Sequence, residues 1–142
     1  MIQYTQKEGN IMKTCVSSYS FSNYMRKNGK NQKDIISLAA DMGFEAIEFT
    51  DLSVPEGMTE ADFACAVREE SEKCGIPVVN YTIGADFLNC ADIEAEIDRV
   101  CKKADIAKIL GAGGMRHDAT GGYRDERRHY TSFDTALPIL IK

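Results

Sequence analysis

The feature that most constrains this chain is a repeated unit: a short apolar, β-branched run followed by a helical pattern, recurring about every 32 residues. "KTCVSSYSF" reads as the first strand, rich in β-branched and aromatic residues. "NQKDIISLAADMG" follows as a helix, with Ile35, Leu38, Ala39 and Met42 at helical spacing, Asn31 as N-cap, Asp34 in the first turn and Gly43 just past the end. "FEAIEFTDL" is a second strand. Thr59 and Asp62 form a capping box for the next helix, which Gly75 closes ahead of Pro77. "PVVNYTI" is a third strand, apolar enough to be buried on both faces of a parallel sheet. The helix after it carries Ile93, Ile97, Val100, Cys101, Ala104, Ala107 and Leu110 as one apolar stripe, ended by Gly111. "AGGMRH" is a short fourth strand, and "FDTALPILIK" opens a further helix. Strands alternating with helices imply parallel pairing through right-handed crossovers. The expected fold is therefore α/β, with about four βα units on one parallel sheet. Residues 1–12 are expected to be an extension and 13–142 a single domain, since no linker or low-complexity segment divides the chain.

Composition narrows the function classes. A formal net charge of -5 opposes nucleic-acid binding by bulk electrostatics. No apolar run is long enough for a membrane span, and the N-terminus lacks a secretory apolar core. The five cysteines are odd in number and lack the close pairing of a zinc or redox motif. They are expected to be reduced and structural, in a cytoplasmic protein. Cys65, Cys74 and Cys101 fall in helical segments, where a thiol acts as a small hydrophobe.

"GAGGMRHDATGG", Gly111 to Gly122, decides where the chemistry lies. It lacks the Lys followed by Ser or Thr of a P-loop, and Arg116 occupies the sixth position of a dinucleotide fingerprint. It also follows a helix and opens a strand, the reverse of what a phosphate cradle needs. The stretch is instead a strand that delivers Arg116, His117 and Asp118 to the carboxyl end of a parallel sheet, where ligands bind in such folds. The other strands end in polar groups as well: Ser17, Ser18 and Tyr19, then Glu48 and Asp51, then Asn80 and Tyr81. Together they make an expected active-site rim.

"CVSSYSF", "GFEAIEFTD", "GIPVVNYTIGADF" and especially "MRHDATGG" resemble the sugar phosphate isomerase/epimerase family, whose fold is the xylose isomerase-like TIM barrel. The resemblance runs from Met12 nearly to the end, and implies the N-terminal half of a barrel whose full form has eight βα units. It implies proton transfer beside a carbonyl of a small carbohydrate, by a divalent metal (Mn, Mg or Zn) or an acid/base pair. In the family the metal ligands sit mainly on later strands, so no metal ligand is assigned in this chain, and the isolated chain is expected to be inactive. His117 and Glu48 are the expected catalytic residues; Ser18, Tyr19, Asn80, Arg116 and Asp118 are the expected substrate-binding ones. His117 is expected to face the barrel interior and Arg116 to pack or pair on the other side. Structural alternatives stand beside these readings: a hydrogen-bonded His at a strand end, and a strand carboxylate satisfied by a polar neighbour. Arg124, Arg127 and Arg128 give a local positive excess that would steer an anionic substrate, on a loop long enough to be a lid; a solvated loop with scattered ion pairs is the other reading. His129 is expected to be exposed and uninvolved. The expected partners are a carbohydrate substrate and either a second copy or a missing C-terminal half, with neither nucleic acid nor membrane. The competing class is a non-catalytic half-barrel or flavodoxin-like binding domain.

Overall fold

A computed structural model of the chain describes residues 13–129 and 132–141, without the side chains of Arg127 and Arg128. The expected extension 1–12 lies outside them. Four strands, β1 (Cys15–Ser17), β2 (Ala46–Thr50), β3 (Val78–Ile83) and β4 (Met115–His117), pair in parallel in the order β1-β2-β3-β4. Helices α1 (Ser22–Asn28), α2 (Ile35–Asp41), α3 (Glu60–Cys74), α4 (Ile93–Leu110) and α5 (Phe133–Leu140) complete the chain. Sequential parallel order is what short right-handed crossovers produce. It is the arrangement of half a TIM barrel.

The helix ends follow local chemistry. Thr59 Oγ1 accepts from the Asp62 amide at 3.1 Å and donates to the Asp62 carboxylate at 2.7 Å. Asp92 caps α4 by accepting from the amides of Glu94 and Ala95. Gly75 and Gly111 end α3 and α4 at φ 68° and 71°, a left-handed conformation that side chains resist. Between β1 and α2 the structure departs from expectation. The strand stops at Ser17, a 3₁₀ turn covers Ser18–Phe21, and α1 follows. Asn31 does not cap α2 directly: its side chain accepts from the amides of Lys33 and Asp34, in the turn that leads into the helix.

The core lies on one side of the sheet. Ile47 and Phe49 of β2 with Tyr81 and Ile83 of β3 pack against Ile35, Ile36 and Ala39 of α2, Phe63, Ala64 and Val67 of α3, and Ile106, Ala107 and Leu110 of α4. Among the described residues the opposite face is the more open one. Ser17, Glu48, Thr50, Asn80 and Thr82 are half-buried there, and Arg116 is exposed. The third strand is therefore buried on one face, not two; Val79, beside a register irregularity between β2 and β3, is 41% exposed. The α4 stripe is also rotated from the expected one. Cys101 and Ala104 are exposed, and Lys103 with Ile106 takes their place on the inner side. Cys65 is exposed as well, so two of the helical thiols are not core residues; all five cysteines are free.

Candidate functional site

Strand register sets the site. Ser17 pairs with Glu48 and Glu48 with Asn80; one step nearer the carboxyl end, Thr50 pairs with Thr82 and Thr82 with Arg116. Register partners share a face, and residues two apart along a strand return to it. These six polar residues therefore form two rows on the open side of the sheet. Asn80 stitches the rows together, donating to Glu48 at 3.4 Å and to Thr82 Oγ1 at 2.9 Å.

The same register reverses the expected facing of Arg116 and His117. His117 pairs with Ile83, a core residue, and so points to the helix side. Its ring meets Phe87 edge-on with centroids 6.0 Å apart, and its Nδ1 lies 3.0 Å from the Asp118 carbonyl oxygen. Arg116 occupies the open face and pairs with Asp118 at 3.6 Å. Glu48 and His117 therefore lie on opposite faces. They are also about 10 Å apart along the strands, because Asn80, the partner of Glu48, precedes Ile83 by three residues.

Ser18 and Tyr19 do not join this array. Ser18 is fully buried, and its hydroxyl accepts from the Thr50 amide at 3.0 Å and sits 3.3 Å from Thr50 Oγ1, fastening β1 to the end of β2. Tyr19 is 73% exposed on the 3₁₀ turn.

Above β3 and β4 an open cleft of about 630 Å³ is lined by Gly84, Asp86, Glu96, Arg99, Asp118, Thr120 and Arg124. Asp86 is its organising residue. It accepts from Asn89 Nδ2 at 2.8 Å and Thr120 Oγ1 at 2.9 Å, and pairs with Arg124 at 3.0 Å. Asn89 also donates to the Gly122 carbonyl and accepts from the Arg124 amide, so the loops after β3 and β4 are interlocked. Burial works against the Asp86 charge, but the hydrogen bonds from Asn89 and Thr120 and the charge of Arg124 outweigh it and hold the carboxyl below its usual pKa. Behind it, Arg99 grips Glu96 through two 2.8 Å bonds and donates to the Gly84 carbonyl at 2.6 Å. The expected positive excess is thus compensated at Arg116 and Arg124, each paired with a carboxylate. The side chains of Arg127 and Arg128 lie outside the described residues, and His129 is exposed but interacts with its surroundings. A second cleft, of about 440 Å³, opens above β1 and β2 between Asn31, Gln32, Thr50, Asp51 and Ser53.

Sequence reasoning missed a network under the rim. The Tyr81 hydroxyl contacts Asp51 at 3.2 Å and Glu60 at 3.3 Å, and Lys103 reaches the same carboxylates at 2.6 and 2.5 Å. Burial, reinforced by the charge of Asp51, pushes the Tyr81 phenol far above its usual pKa. Burial opposes the Lys103 charge, yet hydrogen bonds to Asp51 and Glu60 leave its pKa raised. A lysine at α4 spacing among apolar residues was the available signal.

Among the described residues, no three His, Cys, Asp or Glu side chains converge so as to hold a metal ion. Glu48 and His117, on different faces, do not fit one. No described helix is long and apolar enough to cross a membrane.

The fold is a parallel βα array with a polar open face, the arrangement of half a TIM barrel. No protein-family model matches the sequence, and no curated protein matches it. Among solved structures it is similar to the probable 3-DHS dehydratase AsbF of Bacillus anthracis, involved in petrobactin synthesis, with 22% identity, a TM-score of 0.55 and coverage of 78% of this chain. That neighbour is a TIM-barrel enzyme, and this chain spans 39% of its length.

Proposed function

We propose that the chain supplies the substrate-holding wall of a small-carbohydrate isomerase or epimerase built on a half-barrel. The observation that carries this reading is the pair of polar rows on the open face, Ser17–Glu48–Asn80 and Thr50–Thr82–Arg116. Hydroxyl and amide groups alternating with one carboxylate and one guanidinium suit a polyhydroxy ligand, which both donates and accepts hydrogen bonds. The likeness in fold to a TIM-barrel enzyme agrees with it.

In this reading Glu48 is the proton acceptor beside a substrate carbonyl, since it is the carboxylate within the rows and Asn80 fixes its orientation. Arg116 holds the carbonyl oxygen and offsets charge that develops on it. Asp118 positions Arg116 through their ion pair. His117 keeps the loop after β3 in place through Phe87 and touches no substrate.

Titration of the isotope-labelled chain with a panel of aldoses, ketoses and their phosphates, followed by amide and side-chain shifts, tests this. Shifts centred on Glu48, Asn80, Thr82 and Arg116, lost in Arg116→Ala but kept in His117→Ala, are expected. Shifts confined to the 440 Å³ cleft above β1 and β2, or none at millimolar sugar, would overturn it. A second reading, a binding half-barrel without turnover, is favoured by the separation of Glu48 from His117, which leaves Glu48 as the one carboxylate within the two rows. Proton exchange from the substrate into solvent, present in the native chain and absent in Glu48→Gln, separates the two.

A further inference from the structure

We infer that the cleft above β1 and β2 is a binding site for a small oxyanion, with Lys30 as its cation and Asn31 and Ser53 as its neutral donors. Two independent observations point to a ligand of this chemistry.

The first is a set of donors left over in one place. The cleft, of about 440 Å³, lies between the connection from α1 to α2 and the loop after β2. The buried Gln32 side chain clips its two walls together. Its Nε2 donates to the carbonyls of Thr50 and Asp51 at 3.3 and 3.1 Å, and its Oε1 accepts from the Ser53 amide at 2.8 Å. The two carbonyls at the end of β2 are thereby engaged. Across the cleft, the Asn31 side-chain oxygen accepts from the amides of Lys33 and Asp34, which turns its NH₂ group away from that turn. Among the described residues, neither this NH₂ group, nor the Ser53 hydroxyl, nor the Lys30 ammonium meets a protein partner, and all three residues line the cleft. An ammonium and an amide NH₂ can only donate, and a hydroxyl can do so. A ligand that meets all three must accept, and an oxyanion accepts at every free lone pair, with charge to strengthen each bond.

The second is charge. From Tyr19 to Lys33 the sequence carries Arg26, Lys27, Lys30 and Lys33 and no acidic residue, in a chain whose net charge is -5. The carboxylates nearby are already engaged. Asp51, in the cleft lining, pairs with Lys103 at 2.6 Å; Asp34 accepts from the Asn31 amide at 2.9 Å; Glu70, on the adjoining surface, pairs with Lys73 at 3.4 Å. The charge of Lys30 is therefore not offset, and the field in the cleft is positive. Because the Gln32 clip already holds both walls, a ligand has little left to order on binding. Met25 and Pro55 supply an apolar part of the lining, on which the carbon skeleton of a small ligand can rest.

The site is separate from the substrate wall, and so is its test. The whole isotope-labelled chain is titrated with inorganic phosphate and, in parallel, with acetate, against sodium chloride at equal ionic strength. Saturable shifts are expected at the amides of Lys30, Gln32 and Ser53 and at the Asn31 side-chain NH₂, with a Kd on the order of 1 mM. Lys30→Gln should weaken binding about tenfold, the worth of one charged hydrogen bond. Lys27→Gln, on the same exposed segment but outside the lining, should leave it unchanged. A response to phosphate alone supports a phosphoryl site, and a response to acetate as well supports a site for either oxyanion. The inference is overturned by the absence of shifts, by shifts that chloride reproduces or that never saturate, and by binding that Lys30→Gln leaves intact or that Lys27→Gln weakens equally. Neutral sugars should not move these groups, so a failed sugar titration leaves this result standing.

Discussion

The two faces of this sheet are built from the same strands and do opposite work. On the helix side, Phe49 and Tyr81 are fully buried, and the polar atoms of Tyr81 meet partners. On the open side, Glu48 and Thr50, the immediate neighbours of Phe49, are half-buried and joined by long or shared hydrogen bonds. Stability is concentrated where side chains are enclosed, and the proposed recognition lies where they are not. Substitutions one residue apart should therefore differ greatly in cost, and that contrast can be broken by measurement.

Phe49→Ala should cost the most, about 3–5 kcal/mol, because truncating an aromatic ring at a site with no exposure leaves a cavity as well as lost burial. Urea unfolding followed by circular dichroism measures it. A loss below about 1 kcal/mol would mean that the helix side is not the stabilising one.

Lys103→Met comes next. Its ammonium holds Asp51 and Glu60 together and is 15% exposed, so removing it leaves two carboxylates facing each other beside Tyr81. A loss of about 3 kcal/mol is expected, discounted for the 47% exposure of Asp51. The pH dependence has a definite sign. Lys103 and Tyr81 both have folded pKa values above the ordinary 10.5 and 10.0, so their contribution is complete below about pH 10 and is lost as pH rises through the folded values. Native stability should fall above about pH 10, and Lys103→Met or Tyr81→Phe should flatten that fall.

Asp86→Asn probes the interlocked loops and should cost about 1–2 kcal/mol, since the Arg124 pair and the acceptors for Asn89 and Thr120 are weakened, not buried unpaired. Asp86 has a folded pKa below the ordinary 3.8, so its contribution is present above that value and lost as pH falls through the folded one. Acid unfolding should be less steep below about pH 4 in Asp86→Asn. An unchanged acid limb would show that the clasp adds nothing to the fold.

What could be read in advance follows from the range of the interactions. The Thr59 side-chain cap, one half of the expected box, and the glycines at 75 and 111 are local and are where the sequence placed them. The four strands and their parallel order follow from the repeat. The first helix, "SNYMRKN", has no fully buried residue and so leaves little apolar signature. Which of Arg116 and His117 faces the open side depends on how three residues of β4 register against β3, a tertiary fact with no trace in local spacing. Asp86, Thr120 and Arg124 meet only because two loops cross, and Lys103 joins the core through carboxylates far from it in sequence. Caps and periods are legible; partnerships between loops are not.

The smallest expected effect tests the open side most directly. Glu48→Gln keeps the shape of the side chain and its contact with Asn80 while removing the charge. Because Glu48 is half-buried and receives one 3.4 Å bond, the change should shift stability by less than about 0.5 kcal/mol. Ile47 and Phe49 point to the helix side, so the charge of Glu48 on the other face is free to serve a ligand, as the proposed function requires. Sugar-induced shifts at Asn80 and Arg116 should therefore weaken in Glu48→Gln while the unfolding curve stays in place. If stability drops by 2 kcal/mol or more, the carboxylate holds the sheet together, and the division of labour between the two faces fails.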